Sequence, residues 1–170
     1  IPLDNSRDND YSWIMTEGIQ KALKQNKPIG SSQETAFLAL MLLAEELEAG
    51  FSDLFKSKDL TLAQYNVLRI LRGAQDLGQS CGQIAERMIT RDPDITRMLD
   101  RLERRELIRR ERQTDDRRVV LTFITEAGAA LLKELDRPVN ELHANQLDNL
   151  NETELGQLIG LLEKARKEKK

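Results

Sequence analysis

The chain has a single cysteine and a single histidine among its 170 residues. An internal disulfide is excluded, and so are the usual structural zinc cages built from four Cys or His ligands. Glycine is sparse, with nine residues, and no Gly-rich phosphate loop is present. A nucleophilic triad containing histidine has only His143 to draw on. The adjacent acidic pairs Glu45-Glu46 and Asp115-Asp116 would point apart on regular elements. No catalytic constellation emerges, so neither an enzyme nor a cofactor or metal is expected. Long apolar runs are missing too: the densest stretch, Ala36 to Ala44, is far too short to cross a bilayer. No basic-then-apolar signal segment opens the chain. It starts at Ile1 rather than Met, so the native start is expected upstream. These features predict a soluble, cytosolic protein with no membrane partner.

Hydrophobic residues make up 39% and charged residues 32%, which is polar for a compact monomer yet not polar enough for disorder. A helical chain with much exposed surface fits, as does a subunit that completes its core in an oligomer. The net charge of −3 argues against a nucleic-acid partner until its distribution is considered. Between Arg87 and Arg118 lie eleven arginines and eight acids, a balance of +3, while the rest of the chain carries −6. All ten lysines fall outside that window. Arginine is the planar, bidentate donor suited to phosphates and guanine edges. A salt-bridged, solvated helix is the plainer reading, because the acids are interleaved with the arginines.

Helix signals organise the chain. Residues 1–30 are polar and turn-rich, with a short helix predicted from Tyr11 to Lys24 before the breaker run Asn26-Lys27-Pro28-Ile29-Gly30. Ser31-Ser32-Gln33-Glu34 has the capping-box pattern, with Glu34 reaching back to the Ser31 amide. The helix it opens runs to Lys56. Its stripe of Phe37, Leu40, Met41, Ala44, Leu47, Phe51, Leu54 and Phe55 is broad enough to pack on its own domain and on a partner chain. Thr61-Leu62-Ala63-Gln64 opens a second helix, ending near Gly73, with Leu60 stapled on Tyr65. Ser80-Cys81-Gly82-Gln83 opens a short one with Ile84, Ala85 and Met88 inward. Asp92 and Pro93 then start a helix reaching Arg105. At ~100° per residue its core face is Ile95, Met98, Leu99 and Leu102. Pro93, Thr96, Arg97, Asp100 and Arg104 lie opposite, with Arg101 at the edge.

A short helix, a turn and a helix with an Arg-rich outer face form the helix-turn-helix pattern. Ile108–Gln113 and Arg118–Ile124 alternate as two strands around Thr114-Asp115-Asp116-Arg117, making a β-wing. Thr125 caps a long helix that Pro138 should kink or break. Asn151-Glu152-Thr153-Glu154 opens the last helix, whose Leu155, Leu158, Ile159, Leu162 and Ala165 share one face.

In these residues the chain resembles the MarR-type winged-helix transcription regulators. Leu60–Leu68 is similar to the opening helix of the family's DNA-binding lobe, and Ile95-Thr96-Arg97-Met98-Leu99-Asp100-Arg101-Leu102 to its recognition helix. Asp116-Arg117-Arg118, then Ile124-Thr125-Glu126-Ala127-Gly128 after five residues, resembles the wing signature. Each motif alone is weak; three in order and spacing are strong. The implied fold class is mainly α with a small β-wing. The implied layout is an N-terminal extension (1–30), a dimerisation helix (31–57), a winged helix-turn-helix lobe (58–125) and C-terminal dimerisation helices (126–170).

The resemblance implies a bacterial regulator, usually a repressor, that binds a pseudo-palindromic double-stranded operator as a homodimer. Arg91, Asp94, Thr96, Arg97, Arg101, Arg117 and Arg118 are the expected DNA-binding residues. Arg97 is placed on guanine, Arg118 in the minor groove and Arg117 on a phosphate. Asp116 and Asp100 are expected to fix the wing. Asp92 and Asp94 either cap the recognition helix or accept from cytosine amino groups. Many members bind a small aromatic or phenolic effector. Here Phe37, Met41, Phe51, Tyr65, Leu68 and Arg69 either wall such a pocket or fill a core.

Glu106 departs from the pattern, standing where the family commonly has the left-handed glycine cap. The helix then carries a strain of up to about 1–2 kcal/mol or ends differently. With Asp94, this departure is the only support for the alternative, a winged-helix adaptor that has lost DNA binding. Cys81 is read as a small residue packed at a helix start, against a redox role. His143 has no visible ligand set around it.

Overall fold

The computed structural model describes residues 17–27, 29–89, 94–113 and 119–166. The chain falls into two units, residues 1–49 and 50–170. In the first, α1 (Glu17–Ala22) is followed by the start of α2 (Ser32–Lys56), which continues into the second unit. The part of the predicted first helix before Glu17 lies outside the described residues. Its end comes two residues early because Lys24 adopts a left-handed φ of 52°. The amides of Lys24 and Gln25 then turn back to the carbonyls of Lys21 and Gln20. At the start of α2 the Ser31 hydroxyl accepts from the Glu34 amide at 3.1 Å, as the capping pattern requires. The Glu34 carboxylate, however, accepts from the Gly30 amide, one residue beyond the one expected.

The second unit holds α3 (Leu62–Ala74), β1 (Gln79–Ser80), α4 (Cys81–Arg87), α5 (Ile95–Arg104), β2 (Ile108–Arg112), β3 (Val120–Ile124), α6 (Glu126–Gln146) and α7 (Glu152–Ala165). Full capping boxes open α3 at Thr61/Gln64, α4 at Ser80/Gln83 and α7 at Asn151/Glu154. Each satisfies amides that the first helical turn would otherwise leave unpaired. The core packs Phe51, Phe55, Leu60, Tyr65, Leu68 and Leu71 with Ile84, Met98, Leu99 and Leu102 and with Leu132, Leu135 and Val139. Ile84 and Met88 contribute to this core, but Ala85, expected to point inward, is exposed.

The wing has two strands as expected, and a third strand joins them. The sheet order is β1-β3-β2, antiparallel throughout. β1 is only two residues long, pairing Gln79 with Thr122 and Ser80 with Leu121. Ahead of it Gly78 has φ +62°, and a Cβ there would sit 2.6 Å from the Phe123 ring. Both the backbone and the close ring demand glycine.

Pro138 does not break α6. The helix runs through it because Leu132 and Leu135 before it and Val139 after it are all buried in the same core. Side chains pin α6 as well. Arg72 of α3 donates to both carboxylate oxygens of Asp136 at 2.9 and 3.0 Å, and Lys58 pairs with Glu134 at 2.6 Å.

Candidate nucleic-acid interface

The interface is built on α5. Its N-cap is Asp94, two residues past the expected Asp92, which lies with Arg91 and Pro93 outside the described residues. The Asp94 carboxylate accepts from the Arg97 amide at 3.4 Å and pairs with the Arg97 guanidinium at 3.1 Å. Its carboxylate is therefore engaged in capping, the first of the two roles weighed for it. Met98, Leu99 and Leu102 are buried and Ile95 is half-buried, so the apolar side of α5 is fully used for packing. Thr96, Arg97, Arg101 and Arg104 are exposed on the other side. A ten-residue helix is thereby held rigidly while its polar face stays open.

The far end of α5 explains the Glu106 departure. Glu106 takes the left-handed conformation itself, with φ 57°. The Leu107 amide donates to the Leu102 carbonyl at 3.1 Å and the Glu106 amide to that of Glu103 at 2.8 Å, completing a Schellman cap. Leu107 and Leu102 are both buried, the apolar contact that accompanies this motif. The Thr125 hydroxyl donates to the Glu106 carbonyl at 2.6 Å, and its oxygen accepts from the Gly128 amide at 3.1 Å. One threonine thus fastens the end of α5 and caps α6. The Thr125 amide donates to the Leu107 carbonyl at 3.2 Å, and a Cβ on Gly128 would lie 2.2 Å from that same oxygen. The Thr-x-x-Gly of the wing signature is therefore a steric requirement of this corner.

The wing is locked to α5 by a residue that the sequence did not single out. Arg110 on β2 pairs with Asp100 at 2.7 Å, and its Nε donates to Glu103 at 2.8 Å. Hydrogen bonding from Arg110 holds the Glu103 carboxyl below its ordinary range, and the arginine is shifted upward in return. Asp100 was expected to fix the wing; Glu103 and Arg110 were missed. The available signal was Asp100 and Glu103 three residues apart on one helix face. On the same strand, the Arg109 guanidinium lies 4.4 Å from the Phe123 ring centroid. Asp116, Arg117 and Arg118, the wing tip of the sequence reading, lie outside the described residues.

The six residues assigned to an effector pocket divide by environment. Phe37 and Met41 are 61% and 56% exposed. Phe51, Tyr65 and Leu68 are buried, with the Phe55 ring 5.8 Å from Phe51 and 4.6 Å from Tyr65, centroid to centroid. Burial raises the Tyr65 pKa, against the nearby Arg69 and Arg72 charges. Arg69 is exposed, with its guanidinium 5.8 Å from the Tyr65 ring. Cys81 is half-buried at the first position of α4 and packs against the core. The His143 ring is exposed and meets Phe51 edge-on at 5.0 Å. Among the described residues no helix is long and apolar enough to cross a membrane.

Comparison with known proteins agrees with this geometry. The MarR family model matches residues 60–120, the segment from just before α3 to the first residue of β3. The HTH-type transcriptional repressor MdtR of Bacillus subtilis (strain 168) is 32% identical over 118 residues, which are 69% of this chain and 75% of that protein. The crystal structure of a MarR transcription factor from Planctomyces limnophilus is 40% identical, with a TM-score of 0.63 over 82% of this chain and all of that one. A mutant MarR of E. coli, solved in complex with operator DNA, is 26% identical. Its TM-score is 0.70, over 76% of this chain and 91% of its own. With its winged helix, the Thr-x-x-Gly corner between α5 and α6 and these relatives, the chain belongs to the MarR family of transcription regulators.

Proposed function

We propose that this regulator is a homodimeric repressor that binds a pseudo-palindromic operator and releases it on binding a small aromatic or phenolic acid. The observation that carries the DNA-binding part is α5 itself. Its apolar side is consumed by the core, while Thr96, Arg97, Arg101 and Arg104 stand exposed along its length. Thr96 and Arg97 sit in the N-terminal half, from which a recognition helix reaches base edges. Arg97 reads guanine, and Arg91, Arg117 and Arg118 extend the contact to the flanking backbone and minor groove, with Asp116 bracing the wing.

Dimerisation rests on the apolar residues left open at both ends of the chain, Phe37, Leu40 and Met41 on α2 and Ile159, Leu161 and Leu162 on α7. Residues 31–57 and 126–170 are thus assigned to the dimer and 58–125 to DNA, with 1–30 as an extension. The effector residues are those the family resemblance implies, Phe37, Met41, Phe51, Tyr65, Leu68 and Arg69, which together offer an aromatic acid apolar surface and one cation. By linkage, a ligand that favours the dimer with its lobes wrongly spaced weakens operator affinity.

Selection of bound duplexes from a random pool tests the reading. Two inverted half-sites whose centres lie about 10 base pairs apart should be enriched. Enrichment of a single asymmetric site, or no enrichment, would refute it. Aromatic acids screened against the selected duplex should include one that lowers its affinity. If none shifts DNA affinity or melting temperature, the effector part falls.

A further inference from the structure

Two clefts meet along the seam between α3 and α5. The larger, about 580 Å³, is lined by Lys56 at the end of α2, Thr61 and Gln64 at the start of α3, and Arg101, Arg104 and Arg105, with Asp59 as its one acid. The smaller, about 270 Å³, shares Thr61, Gln64 and Arg101 and continues past Asp94 to Arg97. Together they form one groove with a strong excess of positive charge.

The cations of this groove are not used alike. Arg105 is committed to the fold: its guanidinium donates to the carbonyls of Lys58, at 2.8 Å, and Asp59. It thereby holds the loop between α2 and α3 against the end of α5 and keeps Lys56 beside the groove. Arg104 donates Nε to the Asp100 carbonyl at 3.3 Å, leaving its terminal nitrogens to other partners. Lys56 and Arg101 are exposed and make no ion pair among the described residues. The Thr61 oxygen accepts from the Gln64 amide at 3.1 Å, which leaves its own hydrogen to donate.

Arg97, Arg101 and Arg104 follow at intervals of four and three and form one stripe. Seven residues of helix separate the first from the last, about 10 Å along the axis. The major groove is ~12 Å wide. A helix that reads bases with Arg97 therefore brings Arg104 and Arg101 to the wall of that groove, where the backbone runs.

We propose that this groove is a phosphodiester clamp that seats the backbone of one DNA strand, with Lys56, Thr61, Arg101 and Arg104 as donors. The clamp rests on the reading of α5 as the base-reading helix. It extends the footprint to the end of α2, a helix otherwise assigned to dimerisation. Because phosphates carry no sequence information, it supplies affinity for any duplex and sets the register of α5.

The test uses the full chain, fluorescence polarisation and two labelled duplexes, the selected site and a random one, titrated across salt. Lys56→Ala and Arg104→Ala should each weaken both duplexes by the same factor, about tenfold. Each should lower the log–log salt slope by about two, one phosphate contact for each subunit of the bound dimer. Lys56→Arg should bind as wild type, and the melting temperatures should not move, since both side chains are exposed. Arg97→Ala should act mainly on the selected site. If Lys56→Ala and Arg104→Ala bind both duplexes with wild-type affinity and slope while Arg97→Ala loses the site, the clamp is wrong and α5 still reads bases. If Arg97→Ala is silent as well, the reading of α5 falls and takes the clamp with it. Losses confined to the selected site would make these residues base contacts and overturn the clamp equally.

Discussion

Helices α5 and α7 carry apolar residues at similar spacing, and the chain treats them oppositely. In α5, Met98, Leu99 and Leu102 are all buried. In α7 no residue is buried, and Ile159 and Leu161 are 56% and 66% exposed. The contrast recurs inside α2, where Phe51 and Phe55 are buried but Phe37 and Met41 are open. Scattered exposed apolar residues need no explanation, but a helical face of them does. The unit that carries α5 completes its core within one chain. The outer helices carry faces that a second copy would cover, which is how the dimer proposal accounts for them.

The strongest test of this contrast attacks the corner where the lobe is tightest. Gly128→Ala should destabilise the protein by about 3 kcal/mol or more, because its Cβ would collide with the Leu107 carbonyl and neither backbone can yield. A urea melt at two protein concentrations measures it. A loss under ~1 kcal/mol would mean that the corner is looser than its geometry implies.

Ile159→Asp probes the other side of the comparison. On a simple surface it should change stability by no more than about 0.5 kcal/mol. On a dimer face it should lower the mass seen in sedimentation and make the melting temperature steeply dependent on protein concentration. Unchanged sedimentation would make α7 ordinary surface and remove the contrast.

A smaller effect is expected at the joint between wing and α5. Arg110→Ala should cost about 1 kcal/mol of stability, since its partners are partly exposed. It should also speed amide exchange in β2 more than in α3. The same joint responds to pH. The Glu103 carboxyl is held below its ordinary 4.5, so it stabilises the fold above that value and loses this contribution as pH falls through its lowered folded pKa. Wing amides should therefore gain exchange rate on acidification, corrected for intrinsic chemistry, in wild type but not in Glu103→Gln. Equal acid responses in the two proteins would remove the joint from consideration.

The smallest change should come from Glu106→Gly. Relieving a left-handed glutamate should stabilise the protein by up to about 1 kcal/mol, less the entropy that glycine adds to the unfolded chain. A destabilised variant would show that the Glu106 side chain contributes something beyond the cap.

Where the determinants are local, the sequence predicts the structure well. Thr61/Gln64, Ser80/Gln83 and Asn151/Glu154 each need only three residues of spacing to form a capping box, and all three form. The core face of α5 follows from its period alone. Where two local solutions compete, spacing is not decisive. Asp94 caps α5, two residues past the Asp92 expected, and Glu34 reaches the Gly30 amide in place of that of Ser31. Proline's local penalty is real, yet buried leucines and a valine on both sides of Pro138 carry α6 through it.

For the interface, the exposed arginines of α5 are legible because a 3.6-residue period assigns them a side. The joint of Arg110 with Asp100 and Glu103 is not, nor is the groove that brings Lys56 beside Arg104. Neither is β1, two residues whose partners Thr122 and Leu121 lie some forty positions downstream. Hydrophobic period, capping and turn chemistry act over a few residues, and these determined the helices, the wing and the family pattern. Pairings between distant segments depend on how whole elements pack. Only the folded core sets which guanidinium meets which carboxylate and which faces stay open.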